Sequence, residues 1–152
     1  MISKTVSKFS MAFIVSSFLM VLGAANVALA ADDMQPAKKV VIQVSTDDVK
    51  TQTIAMNNAV NLQKLYGVDN IAIEIVAYGP GLGMLTANSK QSERVKSLAM
   101  QNITFSACGN TMKKVAKKTG KEPKLTEGVK VVEAGVARII DLQDAGYAYV
   151  RP

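Results

Sequence analysis

The feature that most restricts how this chain can fold is an alternation of short apolar runs with longer helical patterns. Residues 39–45 (KVVIQVS), 71–78 (IAIEIVAY), 103–107 (ITFSA) and 129–133 (VKVVE) are rich in β-branched residues and mostly apolar at successive positions. Such runs are strands covered on both faces, since a half-exposed strand would alternate. Helices are expected from Thr46–Asp47 to about Tyr66, then over 86–100, 110–118 and 136–144. Thr46 or Asp47 can cap the first helix and Gly67 can end it. Along it Ile54, Asn58, Leu62 and Leu65 share one side, with Ala55 and Ala59 beside them. Gly120 and Gly146 stop the third and fourth helices, and 147–150 forms a short last strand. The alternation predicts an α/β fold: three layers, α/β/α, around a mostly parallel sheet of about five strands. Ligands of such sheets gather at the carboxyl ends of the strands. The run Gly79-Pro80-Gly81-Leu82-Gly83 and Cys108 both fall at such ends, on consecutive strands.

The amino end has a different character. Lys4 and Lys8 precede an uncharged apolar run of 13 residues, Met11 to Gly23, and Ala28-Leu29-Ala30 then offers a small-x-small cleavage site. This is the pattern of a secretory signal peptide. An uncleaved anchor is the alternative, but the run is short of the ~20 residues that span a bilayer. No cysteine stands at the cleavage site to accept a lipid. The expected organisation is a signal peptide at 1–30, a flexible leader at 31–37 and one domain at 38–152. The expected compartment is the periplasm, with no membrane contact after cleavage. Removing Lys4 and Lys8 leaves 16 basic against 12 acidic residues, a net +4. That excess is too modest to argue for nucleic acid, and no aromatic interleaving supports it.

Histidine is absent and cysteine occurs once. A Ser-His-Asp triad, a Cys-His pair and the usual zinc or haem ligation are thereby excluded, as are a CxxC redox pair and an iron–sulfur cluster. Neither metal nor cofactor is expected. Exported chains usually carry cysteines in pairs, so a lone Cys108 is an inert core residue, a link to another chain, or a reactive group. Its setting, Phe105-Ser106-Ala107-Cys108-Gly109-Asn110-Thr111-Met112, places it where a strand ends and a helix begins. Unpaired N–H groups at Gly109, Asn110 and Thr111 would favour the thiolate there, and Lys113 and Lys114 add positive potential. Gly109 would leave room for a substrate. The opposing reading is a small buried hydrophobe.

Other features divide in the same way. Gly79, Pro80, Gly81 and Gly83 either approach an anion through their N–H groups or make a tight turn; the Walker A and Rossmann patterns are absent. Lys113, Lys114, Lys117, Lys118, Lys121 and Lys124 are either a solvated face or a basic rim steering an anion toward Cys108. Asn57 and Asn58 read as a helix–helix contact. Tyr147 and Tyr149, at period two, give one aromatic face that packs on helices or on another subunit.

Three stretches resemble the DsrE/DsrF-like family, in its exported, small, single-domain branch: Ile73-Glu74-Ile75-Val76-Ala77-Tyr78-Gly79-Pro80-Gly81-Leu82, the block around Cys108, and Val132-Glu133-Ala134-Gly135-Val136 with Leu142-Gln143-Asp144-Ala145-Gly146-Tyr147-Ala148-Tyr149. The resemblance implies a three-layer α/β/α fold, a homotrimer or homohexamer, and a cysteine at the Cys108 position that accepts and passes sulfane sulfur. The expected function is a periplasmic sulfur carrier or sulfurtransferase-like protein. Its partners would be a small sulfur-containing anion or a sulfur-relay protein. The alternatives are a small-anion-binding module or an oligomeric assembly module, each with a structural cysteine.

Overall fold

The computed structural model describes Pro36 and residues 38–152. The expected signal peptide and the leader, Pro36 aside, lie outside the described residues. The elements follow in the order β1 (Lys38–Val44), α1 (Val49–Tyr66), β2 (Ile71–Ala77), a 3-10 helix (Gly79–Leu85), α2 (Ser92–Ala99), β3 (Ile103–Cys108), α3 (Gly109–Thr119), β4 (Val129–Val132), α4 (Gly135–Asp144) and β5 (Ala148–Val150). The five strands form one parallel sheet in the order β4-β3-β2-β1-β5. This is the α/β architecture that the unpatterned apolar strands imply. Among the described residues no helix is long and apolar enough to cross a membrane.

Handedness explains where the helices lie. A right-handed crossover between parallel strands puts its helix on one face when the sheet grows one way, and on the other face when growth reverses. Strands β1 to β4 are laid down in one direction. Their connections pack on a single face, where Met56 of α1, Leu82 of the 3-10 helix, Val95 of α2 and Met112 of α3 meet Ile42, Ile75 and Phe105. The step from β4 back to β5, beside β1, reverses direction, and α4 crosses the opposite face. There Ile139 and Leu142 cover Val41 and Val76.

Three local expectations are corrected. Helix α2 starts at Ser92 rather than Thr86. Residues 86–91 are drawn off by the 124–126 segment: Thr86 bridges Leu125, Ala87 N–H donates to the Lys124 carbonyl at 2.8 Å, and Thr126 N–H donates to the Leu85 carbonyl at 2.9 Å. The cap of α1 is Asp48, whose carboxylate accepts the Thr51 N–H at 2.8 Å and the Thr51 hydroxyl at 2.7 Å. The buried stripe of α1 is Gln52, Ala55, Met56, Ala59 and Gln63, while Ile54 and Leu65 are exposed. The two glutamines can occupy that stripe because their amides are satisfied, Gln52 by the Thr46 carbonyl at 3.0 Å and Gln63 by the Gln101 carbonyl. The helix–helix contact expected of the asparagines is present at Asn57, whose side chain accepts from Arg94 of α2 at 2.6 Å.

Candidate functional site

Strand β3 carries Cys108 to the carboxyl edge of the sheet as its last residue, and α3 opens at once, so Cys108 is the N-cap residue of α3. Alternation along β3 puts Ser106 and Cys108 on the face that α4 covers. Strands β3 and β4 are neighbours, with Cys108 opposite Val132. The helices that follow them leave for opposite faces. Parting connections open a crevice at the carboxyl ends of the two strands, and two helix N-termini, of α3 and α4, meet in it at one sulfur.

The fit around that sulfur is close. Gly135, the first residue of α4, lies against it: a Cβ there would stand 3.2 Å from the Cys108 Cβ and 3.1 Å from the Tyr78 Cβ. The Asn110 N–H donates to the Glu133 carbonyl at 3.1 Å, tying the start of α3 to the residues leading into α4. Thr111 reaches across to the neighbouring strand end, where its hydroxyl oxygen accepts the Gly79 N–H at 3.0 Å. The same hydroxyl keeps its own proton to offer to the sulfur.

Cys108 is only 6% exposed, and burial, the largest single influence on it, pushes the thiol up. The Thr111 hydroxyl and the N–H groups of Gly135, Thr111 and Asn110 together outweigh burial and hold the thiol below its ordinary value. The sulfur closes no formal capping bond with α3; its stabilisation is the combined pull of several donors and two helix dipoles. A thiol so placed ionises more readily than one among aliphatic groups, which is the condition for nucleophilic or exchange chemistry.

The other expected site residues separate. Gly79 and Pro80 line a cleft of about 290 Å³ with Thr111, Lys114, Val115 and Lys118. Lys114 and Lys118, one turn apart, thus flank this cleft, and Thr111 is the lining residue that also bonds the sulfur. Gly81 is committed to packing, because a Cβ there would fall 2.2 Å from the Val44 carbonyl oxygen, and Gly83 faces open space. Gly109 does not open a path for substrate: a Cβ on it would lie 3.1 Å from the Val132 carbonyl oxygen, so its missing side chain lets α3 start against the end of β4. Asn110 and Thr111 are at the sulfur, as their place after Cys108 implied. Between the end of β4 and α4 a hollow of about 480 Å³ is lined by Val132, Glu133, Ala134, Ala137, Arg138 and Asp141.

Sequence reasoning missed Tyr78, Gly135, Glu74 and Arg138. Glu74 gave a readable signal. A carboxylate inside an apolar strand must find a partner on another element, although the sequence does not say which. It is 4% exposed and is bound by Arg138 of α4 and Ser106 of β3. Gly135 gave none, since its role depends on two side chains from other strands.

Fold and site together define a parallel α/β domain with a polarised thiol at the point where its helices part. The sequence profile of the DsrE/DsrF-like family matches residues 38–152, and the chain belongs to that family, whose members are generally connected with sulfur relay. Among solved structures it is similar to the protein of unknown function MTH1491 from Methanobacterium thermoautotrophicum, with 34% identity over 76% of this chain and 99% of that one and a TM-score of 0.68. The ychN protein from E. coli shares the fold at 11% identity, covering 76% of this chain and 98% of its own, with a TM-score of 0.60. No curated protein sequence matches significantly.

Proposed function

We propose that the protein carries sulfane sulfur on Cys108. The observation that carries this reading is the convergence of the Thr111 hydroxyl and the amides of Gly135, Thr111 and Asn110 on one sulfur, which favours the thiolate despite burial. In the loading step the thiolate attacks the outer sulfur of a donor persulfide, R–S–SH. The new S–S bond gives Cys108–S–SH, the donor S–S bond breaks, and R–S⁻ leaves with the electron pair. An acceptor thiolate then attacks the outer sulfur and returns Cys108 as thiolate, so no net oxidation occurs. The donor enters through the cleft beside Thr111, where Lys114 and Lys118 attract an anion. Export to the periplasm, argued from residues 1–30, and assembly into a homotrimer or homohexamer are parts of the same proposal. Exposed Val136 and Ile140 on α4 provide apolar surface for such an assembly.

Incubation with a low-molecular-weight persulfide, followed by intact-mass measurement, should add one sulfur atom to the wild type and none to Cys108→Ser. Loading that survives Cys108→Ser overturns the proposal. The second reading, a small-anion module, is favoured by the near-complete burial of the sulfur. It requires salt-sensitive anion binding that ignores Cys108→Ser and weakens in Lys114→Gln.

A further inference from the structure

We infer that Glu74, Ser106 and Arg138 form a positioning clamp that holds the first amide of α4 against Cys108. The inference rests on reading Cys108 as an ionised, reacting thiol. The Glu74 carboxylate accepts three bonds: from the Ser106 hydroxyl at 2.6 Å, from Arg138 Nε at 2.9 Å and from Arg138 Nη2 at 2.7 Å. These join β2, β3 and α4 at one point. Ser106 lies one pleat before Cys108 on the same face of β3, and Arg138 lies one turn after Gly135 on α4. The clamp therefore binds the same two elements whose separation sets the approach of the Gly135 N–H to the sulfur.

Helix α4 needs such a device because apolar packing alone does not fix its roll. Its buried contacts are Ile139 and Leu142 on Val41 and Val76, yet Val136 and Ile140 are apolar too and point outward. A rolled helix could bury those instead. The forked guanidinium donates to a carboxylate in one plane and one direction, and so selects one rotation. In that rotation Gly135 fits between Tyr78 and Cys108, within the 3.1–3.2 Å that its missing Cβ would meet. Apolar residues of similar size would hold the layers together as well as this pair does, whose carboxylate is buried and whose guanidinium is partly exposed; what the pair adds is a defined geometry.

The sign of a single substitution separates this from a through-space charge effect. The titratable groups on the elements around the sulfur are Glu74 and Tyr78 on or just after β2, Lys113, Lys114, Lys117 and Lys118 on α3, Lys130 on β4, Glu133 before α4, and Arg138, Asp141 and Asp144 on α4. If Glu74 acted only through its charge, Glu74→Gln would remove a nearby negative group and make Cys108 ionise more easily. If Glu74 acts as the clamp, the same change loosens α4 and makes Cys108 ionise less easily.

The experiment is the pH profile of iodoacetamide alkylation of the full chain, with circular dichroism to follow the fold. Glu74→Gln and Arg138→Lys should each slow alkylation at pH 6.5, by roughly three- to tenfold for up to one unit of upward shift. Ser106→Ala, which removes a hydroxyl and no charge, should shift the profile the same way by less, and it keeps the test open if a charge variant fails to fold. Faster alkylation in Glu74→Gln, or profiles coincident with the wild type in all folded variants, would overturn the clamp. Because the readout is ionisation and not sulfur loading, a wild type that takes up no sulfur while these shifts persist sinks the carrier reading and leaves the clamp standing.

Discussion

Against one face of the sheet lie α1, the 3-10 helix, α2 and α3, and among the described residues that side gathers nineteen buried apolar residues into one cluster. Against the other, among the described residues, lies α4 alone, with a cluster of four and the half-buried pair of the Glu74 carboxylate and the Arg138 guanidinium. Each fully buried large apolar side chain contributes about 1.5–3 kcal/mol, so the first face dominates stability. The second face contributes little burial but sets directions: where α4 begins, how it is rolled, and what its first amide meets. Stability and site geometry are thus assigned to opposite sides of the same five strands. Cys108 stands at the carboxyl edge where the two sides meet.

The largest effect should come from the apolar face. Phe105→Ala removes a fully buried ring and should cost about 3–5 kcal/mol in urea unfolding. The alkylation profile of the surviving folded molecules should be unchanged, and a shifted profile would break the division between the faces. Next is Gly135→Ala on the α4 side. Its Cβ would meet Tyr78 and Cys108 at 3.1–3.2 Å, so overpacking should cost about 1–3 kcal/mol and alkylation should slow as well. Loss of stability with no change in the thiol would show that the α4 amide is irrelevant to it.

A smaller effect concerns pH. The Cys108 thiol titrates below its ordinary value of 9.0 in the folded chain, so between the folded value and about 9 the unfolded chain binds more protons. Stability from this source is therefore complete above about pH 9 and lost as pH falls through the folded value. The excess stability of wild type over Cys108→Ser should grow across that window in thermal melts; a flat difference would mean the thiol is not depressed. The smallest change in stability, under ~0.5 kcal/mol, is expected for Lys114→Gln with Lys118→Gln. That pair should nevertheless lower the reactivity of Cys108 toward anionic iodoacetate relative to neutral iodoacetamide, by about two- to threefold at low salt. An unchanged ratio would remove the lysines from the approach path.

Legibility in the sequence follows the range of the forces involved. Strand positions were readable because consecutive β-branched residues such as Val40-Val41-Ile42 suit only a strand buried on both sides. The place of Cys108 between strand and helix was readable for the same local reason, and with it the donors on Asn110 and Thr111. The cap of α1 and the start of α2 were misjudged, by one residue and by six, because competing hydrogen bonds from Thr51 and from 124–126 decide them. Gly81 and Gly109 illustrate a deeper limit. Both looked like openings for a ligand, and both turn out to be closed by backbone from other strands.

The sequence by itself determined the layered α/β class, the direction of the chain through most of the sheet, and one thiol at a strand end, since each depends on side-chain spacing within a few residues. Only the tertiary structure decided that a second helix N-terminus would face that thiol, and that Glu74, Ser106 and Arg138 would lock it there. Those contacts join residues 32 and 64 positions apart. Their geometry exists only after a right-handed chain has reversed its course across the sheet.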